Sequence, residues 1–77
     1  MFNHYDLTHK DILCVAVDWN SEPKRFVLVD LKKNEACLYH QVEEHDCSAD
    51  TDHIRCVINE FLEKRDSDRF SADNGNG

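Results

Sequence analysis

Residues 37–56 contain the highest density of potentially reactive or metal-binding side chains, namely thiols and imidazoles. The side chains are Cys37, His40, His45, Cys47, His53 and Cys56. A structural zinc ion takes four nitrogen or sulfur ligands at the corners of a tetrahedron. Two close pairs provide candidate ligands, namely His45 with Cys47 in a loop and His53 with Cys56 at helical spacing. Neither pair has the C-x-x-C spacing of a zinc knuckle. The sequence therefore favours a metal-free fold in which Cys14 and Cys56 pack as small core or core-edge residues and the histidines are solvated.

Other catalytic chemistry has less support. A cysteine nucleophile needs a histidine held beside it, and no Cys–His pair is singled out by spacing. A phosphate-binding loop needs glycines, but Gly75 and Gly77 are the only two, and both lie at the C-terminal end. We therefore predict that the chain is not an enzyme and requires no cofactor.

The elements that would position these side chains begin with a helix over residues 51–64. Its apolar residues recur at helical spacing: Ile54, Val57, Ile58, Phe61 and Leu62. Such a stripe is typical of an amphipathic helix that covers an apolar surface. Asp50 or Thr51 can cap its start, because their side-chain oxygens accept from the first free amides.

The surface that this helix covers comes from three strand-like segments. These are residues 11–19, 25–31 and 36–42, separated by turn-forming residues at 20–24 and 32–35. We predict an α+β fold, a three-stranded antiparallel β-meander followed by one amphipathic helix packed on one face (β-β-β-α). Residues 1–10 would form an irregular arm, 11–65 the single domain, and 66–77 a disordered tail.

The segment VAVDWNSEPKRFVLVDL at residues 15–31 resembles the start of transposases of the ribonuclease H-like superfamily. That fold opens with three strands and a helix, and its first strand carries an aspartate that binds metal. The resemblance implies that Asp18 is the matching metal ligand. The chain is too short to hold the further carboxylates that two-metal chemistry needs, so it would be an inactive remnant.

Charge and length narrow the functions further. The 77 residues carry a net charge of −7, which argues against binding nucleic acid or an anionic membrane and favours a basic protein partner. No apolar stretch approaches the roughly 20 residues of a membrane span. The first residues lack the basic start and apolar run of a signal peptide, so we expect a cytoplasmic protein with reduced thiols.

The second face of the predicted sheet is the candidate binding surface. Residues 11–19 and 25–31 are apolar on both sides, but one helix covers only one side of a three-stranded sheet. We expect the other side to form an interface, either in a homodimer or with a protein partner. The expected partner-binding residues are Asp52, Glu60, Glu63, Asp66 and Trp19.

The sequence therefore favours a small acidic protein-binding module that regulates or inhibits a larger, basic, nucleic-acid-handling partner. Phage-encoded inhibitors such as anti-CRISPR proteins share this size and charge. A zinc-binding structural module and an inactive ribonuclease H-like remnant are the alternatives.

Overall fold

A computed structural model describes the backbone of residues 1–76 and the side chains of residues 1–66. The elements in chain order are β1 (Asn3–His9), β2 (Ile12–Asp18), β3 (Arg25–Asp30), β4 (Glu35–His40) and α1 (Asp50–Asn76). The strands form one antiparallel sheet in the order β1-β2-β3-β4. The predicted α+β class is confirmed, but the predicted number of strands is wrong, since the sheet has four strands rather than three.

The additional strand is β1, which occupies most of the segment expected to be an irregular arm. Tyr5 and Leu7 alternate along it and pack against the core, as strand periodicity requires. A two-residue turn joins β1 to β2, because His9 pairs with Ile12. Lys10 adopts φ 57° in that turn, a left-handed conformation that lysine rarely supplies. The turn therefore gave no sequence signal.

The hairpin between β3 and β4 has the turn chemistry that the sequence predicts. Asn34 lies in the left-handed region at φ 55°. The Asp30 carboxylate accepts hydrogen bonds from the amides of Lys32 and Lys33 at 2.9 and 3.1 Å, which fixes the start of the turn. Its other oxygen lies 2.5 Å from Arg65 Nη1, so the hairpin is also tied to α1.

The core lies between α1 and one face of the sheet. The sheet contributes Ile12, Cys14, Val17, Phe26 and Leu28, and the helix contributes Ile54, Val57 and Ile58, all without exposed surface. Phe61 and Leu62 pack partly buried at the edge of this cluster. The predicted apolar stripe is therefore the face that α1 buries.

An irregularity in β2 decides which of its side chains reach the core. The register with β3 shifts between Cys14 and Ala16, so Val15 is an extra residue. Beyond the bulge, Val17 rather than Ala16 lies on the same face as Cys14, opposite Phe26. In a regular strand, Ile12, Cys14 and Ala16 would share one face, and Leu13, Val15 and Val17 the other. The bulge divides both of these sets between the two faces.

Helix α1 begins at Asp50, and Asp50 and Asp52 fall in its first turn, where carboxylates interact favourably with the free amides. The predicted tail at residues 66–77 overlaps the C-terminal part of α1. Its side chains beyond Asp66 lie outside the described residues, so the disordered tail stays a prediction. Over the part of the chain that the structure covers, α1 is too polar to cross a bilayer, and no other helix is a candidate.

Candidate functional site

The sheet face that points away from α1, here called the open face, is largely apolar. Its cross-strand rows are Thr8–Leu13–Val29–Ala36, His4–Ala16–Val27–Leu38 and Asp18–Arg25–His40. Phe26 and Leu28 on the helix side have no exposed surface, whereas Val27 and Val29 remain partly exposed and Leu38 is 50% exposed. Apolar side chains left open in one contiguous patch are typical of a binding surface.

One end of the open face carries a compensated charge. The Asp18 carboxylate is 3% exposed and lies 2.6 Å from Arg25 Nη2, whose guanidinium also packs over the ring of Phe2 at 5.0 Å. The hydrogen bond from Arg25 outweighs burial, and with the amide of Asn20 it lowers the pKa of Asp18. Asp18 and Arg25 are the only formal charges among the paired positions in the three rows, and they neutralise each other.

This setting differs from the one that the ribonuclease H-like resemblance implies for Asp18. A metal ligand needs a carboxylate open to the cation, but this one is already engaged by a guanidinium and a backbone amide. The strand β1 also precedes the strand that carries Asp18, so the chain opens with four strands and not with three. The structure thus offers no support for a metal at Asp18.

The four candidate zinc ligands come near one another only in pairs. Cys47 Sγ lies 3.6 Å from Cys56 Sγ, and the rings of His45 and His53 are 5.8 Å apart. Each histidine already uses a ring nitrogen, since His45 Nε2 lies 3.0 Å from Glu60 Oε1 and His53 Nε2 lies 2.6 Å from a side-chain oxygen of Gln41. Among the residues that are described, no three His, Cys, Asp or Glu side chains are grouped to hold a metal ion.

Glu60 is the functional candidate that the sequence placed wrongly. We expected it to bind a partner, which requires an exposed side chain, but its side chain is buried with 6% of its surface exposed. Its carboxylate accepts from four donors, namely Tyr39 Oη, the amide of Val42 at 3.0 Å, the amide of Glu43 at 3.1 Å and His45 Nε2. A carboxylate enclosed in this way cannot bind a partner unless the fold opens.

These donors explain the charge state of Glu60. Burial raises the pKa of Glu60, but the hydrogen bonds from Tyr39, the two backbone amides and His45 together outweigh burial and lower it. Burial, and then the hydrogen bond to Glu60, raises the pKa of Tyr39, so the phenol remains the donor. The group is a structural anchor that holds the segment after β4 against α1.

Trp19, also expected to bind a partner, is instead tied into the helix side of the molecule. Its ring packs edge-on against Phe26 and His53, with centroids 5.7 and 5.1 Å apart. Its indole nitrogen donates to Tyr5 Oη at 2.7 Å, and Tyr5 donates in turn to Asp50 Oδ2 at 3.1 Å. This chain of contacts links β1, β2 and the start of α1, which leaves Trp19 a core-edge residue.

The other three predicted partner-binding residues are exposed and form an acidic stripe. Asp52, Glu63 and Asp66 are all exposed, and Glu63 and Asp66 follow Asp52 by about three and four turns of helix, so the three lie along one line. Asp52 also pairs with Arg55 at 3.2 Å, a surface contact of little energetic weight. Because α1 buries its apolar stripe against the sheet, the acidic stripe lies on the side of the molecule opposite the open face.

A polar cleft of about 580 Å³ lies between the segment after β4 and the start of α1. It is lined by Lys24, Gln41, Glu44, His45, Asp46 and His53. Burial, and then the neighbouring His45, lowers the pKa of His53. The lining mixes acidic, basic and neutral groups, so it does not define the charge of a ligand.

Comparison with protein-family models, with curated proteins and with solved structures gives no match for this chain. Its function is therefore inferred from its own surfaces. Two of them stand out, the neutral apolar open face and the acidic stripe, and they lie on opposite sides of the molecule.

Proposed function

We propose that the chain is a protein-binding module without enzymatic activity, and that it acts as a homodimer. Two copies pack their open faces together, and each copy then presents its acidic stripe outward to a larger, basic protein that it inhibits. The observation that supports this proposal is the separation of the two surfaces, with apolar side chains on the sheet and exposed carboxylates on α1.

The second copy is the favoured occupant of the open face because of the charge distribution. The chain carries a net charge of −7, which would oppose self-association if the carboxylates lay at the contact. The paired positions of the open face carry one compensated ion pair instead. Asp6, an exposed carboxylate between His4 and Thr8 on the edge strand β1, lies at the border of this face. In a face-to-face dimer the two acidic stripes point in opposite directions, beyond the screening length of roughly 8 Å at physiological salt.

The size of the open face also suits a dimer. Strands β3 and β4 have six residues each, and four strands spaced about 4.8 Å apart with about 3.3 Å per residue give a face of roughly 19 by 20 Å. Two such faces bury on the order of 1,000 Å², counting the relief of the side chains, which is near the lower limit for a specific interface. Sheets packed in this way form a sandwich about 10 Å between layers.

The charge of the outer surface supports the proposed class of partner. Exposed carboxylates continue from the acidic stripe into the segment before α1 at Glu43, Glu44 and Asp46. A surface of this sign attracts basic proteins, and basic surfaces are the ones that hold nucleic acid. By covering such a surface, the module would block access of the nucleic acid and so inhibit the partner.

Self-association is tested by sedimentation equilibrium of the wild type and of the Val27→Asp and Leu38→Asp variants. We expect a wild-type dimer at micromolar concentration, and a monomer when a carboxylate is placed in the open face. The matched control is Ser48→Asp, which adds the same charge at an exposed loop position and should remain dimeric. A wild type that stays monomeric at millimolar concentration would refute the dimer.

The partner surface is tested with two charge-matched triple variants. The first, Asp52→Asn, Glu63→Gln and Asp66→Asn, neutralises the acidic stripe, and the second, Asp6→Asn, Asp11→Asn and Glu35→Gln, neutralises exposed carboxylates on the sheet strands and turns. Proteins captured from source cells are purified separately and titrated against each variant. We expect a basic partner whose affinity falls at least about tenfold for the first variant and less than about threefold for the second, consistent with direct charge contacts.

The inhibitory role has its own measurement. The activity of the captured partner should fall when one dimer is added per partner molecule, and it should recover as added salt weakens the contact. Equal loss of affinity in both triple variants, or a captured partner that is acidic, would contradict the assignment of the acidic stripe.

A further inference from the structure

Cys47 and Cys56 form a thiol pair that none of the surfaces described above uses. Their sulfurs lie 3.6 Å apart, with Cys47 in the segment between β4 and α1 and Cys56 in the second turn of α1. Both side chains are half-buried, so small reagents can reach them. The two residues are nine positions apart in the chain, and the contact is made by the fold.

The other two cysteines stand apart from this pair. Cys14 is buried in the core, where burial raises the pKa of its thiol to about 11, and a protonated, enclosed thiol reacts slowly. Cys37 is exposed on the edge strand β4. All four thiols are free, and only Cys47 and Cys56 have another sulfur in contact.

The pair is held in place by contacts that do not involve sulfur. Glu60, one helical turn after Cys56, accepts from the amides of Val42 and Glu43 and from His45, two residues before Cys47. These bonds fix the segment against α1 on the same side as the thiols. The sulfurs must move together by about 1.6 Å to reach the bonded distance of about 2.0 Å.

We propose that Cys47 and Cys56 are a redox modification site that forms an intrachain disulfide and fastens the segment after β4 to α1. This inference does not depend on the proposed dimer or on its partner. The reagent class is a small-molecule disulfide such as oxidised glutathione.

The exchange proceeds in two balanced steps. One cysteine thiolate attacks a sulfur of oxidised glutathione, which forms a mixed disulfide and releases one glutathione thiolate. The second cysteine loses its proton and attacks the protein sulfur of the mixed disulfide, which releases the second glutathione. The protein gives up two protons and two electrons, and oxidised glutathione is reduced to two thiols.

The rate of this exchange should rise with pH. The pKa of Cys47 is raised, mainly by the hydrogen bond with Cys56 and then by burial and nearby carboxylates. The thiolate is the attacking species, so attack by Cys47 should be slow near neutral pH and faster at pH 8.5. In the oxidised form, the disulfide would hold the segment with His45 and Asp46, which lines one side of the polar cleft, against α1.

The test uses a Cys37→Ser background, which removes the exposed thiol that would otherwise form intermolecular bonds. This protein is treated with oxidised glutathione at pH 8.5, and the products are identified by peptide mapping. We expect a Cys47–Cys56 crosslink, a mass loss of about 2 Da for two hydrogens, and a melting temperature that rises by about 5 to 10 °C. Reduction should reverse all three changes.

The matched controls are Cys37→Ser with Cys47→Ser and Cys37→Ser with Cys56→Ser. Each should take up one glutathione at the remaining thiol of the pair and show no rise in melting temperature. Amide hydrogen exchange of residues 42–47 should slow only in the oxidised background protein. The proposal is overturned if Cys47 and Cys56 both remain open to alkylation after treatment, or if each carries its own glutathione.

Discussion

Glu60 is the single residue that joins the sheet, the segment after it and the helix. It sits on α1 and accepts hydrogen bonds from Tyr39 of β4 and from Val42, Glu43 and His45 beyond that strand. A buried carboxylate is costly unless its oxygens are satisfied, and here four donors satisfy them. The sequence could not show this, because a glutamate three residues after Val57 reads as the polar flank of the stripe. Its donors come from another part of the chain.

Replacing Glu60 should therefore cost more stability than its polar character suggests. Glu60→Gln keeps the shape but turns an amide group toward two of the four donors, which leaves them buried and unpaired. We expect the free energy of unfolding to fall by about 2 kcal/mol, measured by urea denaturation. Glu63→Gln, the same change at an exposed position of the same helix, should shift it by less than about 0.5 kcal/mol. Equal effects would mean that the four contacts contribute nothing.

His53 should make stability depend on pH near neutrality. Its lowered pKa, caused first by burial and then by His45, means that the unfolded chain binds this proton more readily than the folded chain. The contribution of His53 to the free energy of unfolding should thus be greatest above the ordinary histidine pKa of about 6.5. It should fall as the pH drops below that value. Below about pH 4 the lowered pKa values of Asp18, Asp30 and Glu60 add a second loss.

Urea denaturation at pH 8, 5.5 and 3.5 separates the two losses. His53→Gln should remove the difference between pH 8 and 5.5 and keep the further loss at pH 3.5. A wild type that becomes more stable from pH 8 to 5.5, together with a His53→Gln variant that does not, would show that His53 is charged in the folded state.

At the scale of elements, α1 and the inner strands follow from local pattern. The helical spacing of Ile54, Val57 and Ile58 predicted the buried stripe, and apolar runs predicted β2 and β3. The strand β1 was missed because its outward residues are polar and its turn uses Lys10. The open face of β2 could not be assigned, because the bulge at Val15 exchanges the two alternating sets and leaves no mark in the composition.

The apolar residues of the helix stripe should contribute to stability in proportion to their burial. Ile58 has no exposed surface and Phe61 is only partly buried, against Tyr39 and Arg65. Ile58→Ala should lower the free energy of unfolding by about 3 kcal/mol, and Phe61→Ala by about 2 kcal/mol, since part of its ring already contacts water. Urea unfolding of both variants measures the two losses of free energy. A larger loss for Phe61→Ala than for Ile58→Ala would contradict the partial burial of the Phe61 ring.

At the scale of the whole molecule, the described core is complete by Arg65. Among the described side chains, the last contacts between α1 and the sheet are those of Phe61, Leu62 and Arg65. A chain that ends at Asp66 should therefore keep its fold and lose less than about 1 kcal/mol of the free energy of unfolding. Urea denaturation measures this loss, and the near-ultraviolet circular dichroism should stay unchanged. Cooperative unfolding lost in the shorter chain would mean that residues beyond Asp66 contribute to the core.

The sheet pairs each strand with its neighbour in the chain, and this order has a kinetic consequence. Three successive hairpins close short loops, whereas α1 must return across the whole sheet, so the sheet should be largely formed in the folding transition state and the helix should dock afterwards. In stopped-flow experiments Val17→Ala should mainly slow folding, and Val57→Ala should mainly speed unfolding. During synthesis α1 emerges after the four strands, so the sheet would then have both apolar faces uncovered. A second nascent chain could meet its open face before its own helix arrives.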